Sequence, residues 1–130
     1  MKKILIIREA STNPDVDEKN IGPWELPGGR MSLGELPEEA LRREVKEETG
    51  LEITIHEPLA VTEWQPVIRG EKVQNVAIYH CCVWKSGEVV VSNEHDEFAW
   101  IDPAEYRKYD FIPNVVPILE KHLQLRLPNG

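Results

Sequence analysis

The sequence predicts a mixed α/β fold in a single domain spanning residues 1–130. Short runs rich in β-branched and aromatic residues are separated by turn signals, and one segment carries both a helix start and a helix stop. A second apolar periodic segment follows near the end of the chain. Neither a strict βαβ alternation nor an internal repeat is present.

Lys3 to Arg8 is a short β-rich run, followed by a polar stretch, Ser11 to Pro23, whose Asn, Asp, Pro and Gly residues mark a loop. Trp24 to Gly29 predicts a brief strand that ends in a Pro-Gly-Gly turn. Pro37 stands where a helix begins, Glu38 and Glu39 favour its first turn, and Gly50 stops it, so a helix is expected over Pro37 to Thr49. Ile53 to Glu63 and Val73 to Trp84 predict strands, the second continuing through Ser86-Gly87 into a third strand, Glu88 to Val91. Phe98 to Ile101 predicts one more. Asp102-Pro103 has the N-cap-then-proline form of a helix start, and Val115 to Leu125 predicts a final helix with Asn114 as its cap.

Composition narrows the function classes. With 130 residues the chain is long enough to bury a core without staples, and 41% apolar against 29% charged residues excludes low-complexity and strongly disordered classes. The net charge of −8 argues against a protein that grips a nucleic-acid backbone, which takes Lys and Arg to displace counterions. No apolar run approaches the ~20 residues that span a bilayer, and the start of the chain leads into only Ile4 to Ile7. A cytoplasmic location is expected. Cys81 and Cys82 are adjacent in a strand, so their side chains point to opposite faces and do not pair, which suits a reducing compartment.

The chemistry concentrates on the Pro37 to Thr49 helix. Glu44, Glu47 and Glu48 are spaced i, i+3 and i+4, so they share one arc. A solvated acidic face is the ordinary meaning of such a run. Here, however, Ala40, Leu41 and Val45 place the apolar stripe directly beside these carboxylates, while Glu39, Arg42 and Lys46 already supply the solvent face. Carboxylates crowded on one arc repel each other, and a divalent cation removes the conflict. Hard oxygen donors without a neighbouring His or Cys point to Mg²⁺, with Mn²⁺ as the substitute. His56, His80, His95 and His122 show no metal-ligand spacing.

Gly29, Glu35, Arg43-Glu44, Val45, Glu47-Glu48, Gly50 and Leu51 reproduce every fixed position of the Nudix box, with Trp24-Glu-Leu-Pro-Gly-Gly29 as its usual lead-in. The chain therefore resembles the Nudix hydrolases. The resemblance implies an α/β/α sandwich around a mixed sheet, with the box forming a loop, a helix and a second loop. It further implies that Glu44, Glu47 and Glu48, with the carbonyl of Gly28, hold divalent ions, and that Glu35 and Arg43 orient them. Glu94, six residues before Trp100, matches a loop glutamate that supplies a further ligand or the general base, with Glu97 as the neighbouring alternative. The implied reaction is hydrolysis of a phosphoanhydride bond in a nucleotide by an activated water, without a covalent intermediate.

Among Nudix substrates, a small domain without additions resembles the nucleoside triphosphate pyrophosphohydrolases. Pro66 is a cue toward ADP-ribose or another nucleoside diphosphate sugar, and the absence of a nearby tyrosine argues against dinucleoside polyphosphates. A non-catalytic, nucleotide-sensing module is the reading of a different class, and it is disfavoured because no box glutamate is missing. An mRNA-decapping role is disfavoured by the acidity. Family domains usually carry a strand before the counterpart of Lys3 to Arg8, and this sequence offers no residues for it. An apolar strand left at a sheet margin is a template for pairing, so a homodimer, or cover from the Ser11 to Pro23 loop, is the expectation.

Overall fold

The computed structural model describes residues 3–9, 23–91 and 95–126. The elements are β1 (Ile4–Glu9), β2 (Trp24–Glu25), α1 (Pro37–Thr49), β3 (Glu52–Trp64), β4 (Val67–Ile68), β5 (Glu71–Lys72), β6 (Asn75–Ser86), β7 (His95–Ile101), a 3-10 helix over Pro103–Lys108, and α2 (Val115–Arg126).

The aliphatic run of β1 is explained by its position in the middle layer. Ile4 and Ile6 face one way, into a core of Ile101, Phe111, Val115 and Leu119 closed by α2. Leu5 faces the other way, onto Val45 of α1 and Leu51 and Ile53 at the start of β3. Because successive strand residues alternate between faces, only an unbroken apolar run can satisfy a strand with a helix on each side. Ile6 and Ile7 are fully buried accordingly.

This placement corrects the expectation of a bare edge. β1 is the central strand of a three-stranded sheet ordered β2-β1-β7, antiparallel to both neighbours. The ground for expecting a symmetric partner on β1 therefore falls away. Of the loop expected to cover it, residues 11–22 lie outside the described residues. Arg8 ties the three strands together: its guanidinium pairs with Glu97 of β7 at 2.7 Å and lies 5.0 Å over the Trp24 ring of β2. The resemblance implied a mixed sheet, whereas every described strand ladder is antiparallel, and the parallel contact is an isolated Trp24–Phe111 bridge.

β3 and β6 form a long antiparallel pair, interrupted by register shifts around Pro58, which has no N–H to give the ladder. Their connection contains the β4–β5 hairpin, where Arg69 (φ 52°) and Gly70 (φ 79°) form the left-handed pair that suits a two-residue turn. β2 is shorter than expected because Pro27 cannot continue the ladder and the Gly28 N–H is used elsewhere. The third strand expected over Glu88 to Val91 does not form. Val90 donates its N–H to the Thr49 carbonyl at 2.8 Å, which fastens this segment to the end of α1 in place of a sheet.

The expected Asp102-Pro103 start opens the 3-10 helix, with Asp102 Oδ1 accepting from the Ala104 N–H at 2.9 Å. Ile6 is the best single probe of the layered core. Ile6→Ala should lower the unfolding free energy by about 2–5 kcal/mol, measured by urea denaturation; a loss well below 1 kcal/mol would contradict its central place.

Candidate active site

The α1 helix is built to hold its carboxylates at the boundary between core and solvent. Pro37 occupies the first turn, the Glu39 carboxylate accepts the Leu36 N–H at 3.3 Å, and Gly50 (φ 75°) ends the helix with its N–H on the Lys46 carbonyl at 2.9 Å. Ala40, Val45 and Thr49 are buried. Thr49 is satisfied locally, donating to the Val45 carbonyl at 2.6 Å and accepting from the Leu51 N–H at 3.2 Å. Arg42, exposed on the solvent side as expected, also donates to the Ile53 carbonyl at 2.9 Å and links α1 to β3.

Arg43 is the hub of the acidic arc. Its Nε and one terminal nitrogen grip both oxygens of Glu35 at 2.8 Å, a bidentate pair. The same terminal nitrogen also donates to the Arg30 carbonyl at 3.0 Å. The other terminal nitrogen donates to Glu44 at 2.9 Å and to Glu47 at 3.3 Å. One guanidinium thus holds the loop before the helix and two of the three arc carboxylates. Glu35 also accepts the Ser32 N–H at 2.7 Å. With Arg43 first and Ser32 second, these contacts hold the Glu35 carboxyl down at about 2, against an ordinary 4.5. The Glu35 and Glu44 partners raise Arg43 in turn.

The Gly-Gly lead-in has a steric reason. A Cβ on Gly29 would fall inside the Glu44 carboxylate, so a larger residue there would displace that side chain from its place beside the loop. Gly28 donates its N–H to Glu48 Oε2 at 3.0 Å. Glu44 and Glu48 are therefore both packed against the lead-in, whereas the Glu47 side chain is 60% exposed.

The structure thus brings Gly28, Glu35, Arg43, Glu44, Glu47 and Glu48 into one neighbourhood. Among the described residues, no group of His, Cys, Asp and Glu side chains stands ready-made around a cation. Glu44 and Glu47 turn to Arg43 and Glu48 to the Gly28 N–H, so the fit to a metal is one of donor chemistry and helix position. Glu94 lies outside the described residues. Its alternative, Glu97, is committed to Arg8 at 2.7 Å. Cys81 and Cys82 are unpaired thiols, and burial pushes Cys82 up to about 11, so it stays protonated and a poor nucleophile. No helix among the described residues is long and apolar enough to cross a membrane.

One feature lay beyond the reach of sequence reasoning: the fastening of the Glu88 to Val91 segment to α1.

The Glu35–Arg43 pair has a pH signature. Because folding depresses the Glu35 pKa, the stability it contributes is present above its unfolded value of 4.5 and is lost as pH falls toward about 2. Glu35→Gln should melt below the wild type at pH 7, with the gap closing between pH 4.5 and about 2. An equal gap at pH 7 and at the acid end would refute this role.

Comparison with known proteins agrees with the geometry. A family model described as the NUDIX domain matches residues 1–121. The chain is 34% identical over 99 residues to the nucleoside triphosphatase NudI of Escherichia coli, covering 68% of each protein. Among solved structures it resembles the E. coli ORF135 protein, with a TM-score of 0.69, 28% identity, and coverage of 96% of this chain and 82% of that one. It also resembles the MutT protein from Methanosarcina mazei, with a TM-score of 0.74, 24% identity, and coverage of 95% and 85%. Nudix hydrolases are generally dependent on divalent metal. With the complete box folded into a loop and helix clamped by Arg43, and the matching domain running over nearly the whole length, the chain belongs to the Nudix hydrolase family.

Proposed function

We propose that this protein is a Mg²⁺-dependent nucleoside triphosphate pyrophosphohydrolase, with Mn²⁺ able to substitute, acting in the cytoplasm as a single domain. The observation that carries the reading is the arc of Glu44, Glu47 and Glu48 beside the glycine lead-in, with Glu44 and Glu47 held by one guanidinium and Glu48 by the Gly28 N–H. Similarity to proteins named nucleoside triphosphatase NudI supports the substrate class. The unpaired thiols of Cys81 and Cys82 suit a reducing compartment.

In this reading Glu44, Glu47 and Glu48, with the Gly28 carbonyl, hold the cation, and Glu94 either joins them or accepts a proton from the attacking water. When bound, the cation neutralises phosphate charge and acidifies a water. Arg43 keeps Glu44 and Glu47 from drifting apart, and Glu35 fixes the angle of Arg43 through its two-point grip. Glu48 is oriented by the Gly28 N–H. The acidic arc otherwise repels a nucleotide, so binding and metal loading are coupled.

The ADP-ribose alternative rested on Pro66. That residue has a structural role, since its carbonyl accepts the Val73 N–H at 2.9 Å and closes the base of the β4–β5 hairpin. A sensing module without catalysis is disfavoured because no box glutamate is missing.

A panel of nucleoside triphosphates and ADP-ribose with Mg²⁺, products identified by mass, tests the reading. Nucleoside monophosphate and pyrophosphate should appear from the triphosphates, and a chelator should abolish turnover. Glu48→Gln should lower kcat by about 100-fold or more while keeping the wild-type melting curve; near-normal turnover in that variant would defeat the metal assignment. Glu94→Gln should lower kcat with little change in KM, whereas Glu97→Gln should act mainly on stability through Arg8; the reverse result would exchange their roles.

A further inference from the structure

The long β3–β6 pair has one face that α1 covers at one end only. Alternate residues of β6 from Val76 to Trp84 project to that face, and the register sets Val61 beside Ile78, Pro58 beside His80 and Ile53 beside Trp84. At the Ile53 end the face belongs to the apolar cluster around Val45 of α1. The helix starts only at Pro37, however, and beyond it the face runs on as an apolar strip in which Val61 is 65% exposed, Val76 61% and Ile78 43%. A single exposed apolar residue is ordinary, whereas neighbours on one sheet face mark a docking surface.

The two ends of this strip are complementary. At the α1 end lies an open groove of about 580 Å³ with an apolar lining of Leu36, Pro37, Pro58 and Ile78, and with Glu38 and Glu39 from the first turn of the helix. Arg42 and His80 line it too. Arg42 is engaged with the Ile53 carbonyl and Glu39 with the Leu36 N–H, while Glu38 has no hydrogen-bond or ion-pair partner among the described residues. At the other end the strands run into the β4–β5 hairpin, an arm whose cross-strand pairing puts Val67 and Lys72 on one face and Ile68 and Glu71 on the other. Val67 is 69% exposed, and Lys72 has no carboxylate partner among the described residues. Gln65 and Gln74, at the two ends of the arm, donate to Glu63 at 3.0 Å and 2.8 Å. Glu63 pairs with Val76 and stands on the strip face, so the arm is braced toward the face that carries the groove.

We propose that this face is the interface of a two-fold homodimer, in which the strips of two copies pack end for end about an axis near Val61 and each β4–β5 arm lies in the other copy's groove, with Lys72 against the partner's Glu38. A two-fold axis reverses the strip, so a groove at one end and an arm at the other meet twice in the same complex, as an isologous interface requires. The charge pattern selects a second copy as the occupant: an apolar arm face with a free cation meets an apolar groove with a free carboxylate. From Pro58 to Trp64 the strip spans roughly 20 Å at about 3.3 Å per residue. With an arm and a groove added, the face reaches the scale of about 800 Å² per partner that stable dimers bury. The central strand β1 takes no part in this contact, and the substrate assignment does not bear on it.

Light scattering on the full chain over a dilution series at micromolar concentration should give twice the mass of one chain, falling toward one on dilution. Val61→Asp, at the proposed axis, should give the mass of one chain while keeping the wild-type circular dichroism, since that side chain is exposed in the single chain. Lys72→Glu and Glu38→Lys should each weaken the dimer by about tenfold or more, because each reversal sets like charges together at two symmetry-related contacts. The double variant Lys72→Glu with Glu38→Lys exchanges the charges in one chain and should recover the wild-type dissociation constant within a few-fold. That recovery separates a specific arm-to-groove contact from general damage to the fold. A wild type with the mass of one chain at every concentration would overturn the proposal. So would a dimer indifferent to Val61→Asp, or a double variant that dimerises no better than either single one.

Discussion

A single positive charge lets this site exist. Glu44, Glu47 and Glu48 on one arc of α1, with Glu35 close by, would repel each other and disfavour the helix that carries them. Arg43 sits within that arc and shares its five donors among Glu35, Glu44, Glu47 and the Arg30 carbonyl. Lysine could not do this, because a point charge on a flexible stem cannot grip Glu35 at two points while reaching sideways to Glu44. The loop before the helix and the helix itself are thereby locked together at the acidic arc.

The layers around β1 provide the stiffness on which this clamp relies. β1 has a helix on each face, so the apolar side of α1 has a fixed counterpart in Leu5, Leu51 and Ile53. Movement of α1 would open that cluster, and the polar arc beside it is held as firmly as the packing is. The Val90 N–H on the Thr49 carbonyl fixes the far end of the helix, and Gly28 against Glu48 fixes its exposed side. A charged arc is thus supported by apolar contacts on one side and backbone donors on the other.

The elements visible in the sequence were those decided by local chemistry. Helix α1 runs over Pro37–Thr49, as the proline start and glycine stop require, and the sharing of one arc by the glutamates follows from helical spacing alone. The two long strands and the final helix also appear, with ends shifted by one or two residues. The failures are equally instructive. Glu88 to Val91 has the β-propensity of a strand but finds the end of α1 as its partner, and propensity cannot name a partner. The Trp24 to Gly29 run stops at Glu25 because the next residues are used for a turn and for Glu48, a demand set by a helix further along the chain.

What the sequence by itself determined is the reaction chemistry: which side chains carry oxygen donors, at what spacing, on which kind of element, and hence the family. What only the tertiary structure decided is how strands neighbour one another. The aliphatic run of β1 is equally compatible with an edge strand and with a buried one, since alternation records burial and not the identity of what buries it. Pairing with β2 on one side and β7 on the other settled that question and removed the reason for expecting a partner chain on β1. The same pairing set Glu25 and Phe98 in one row across β1 although they are 73 positions apart along the chain, because register is a property of strands meeting in space.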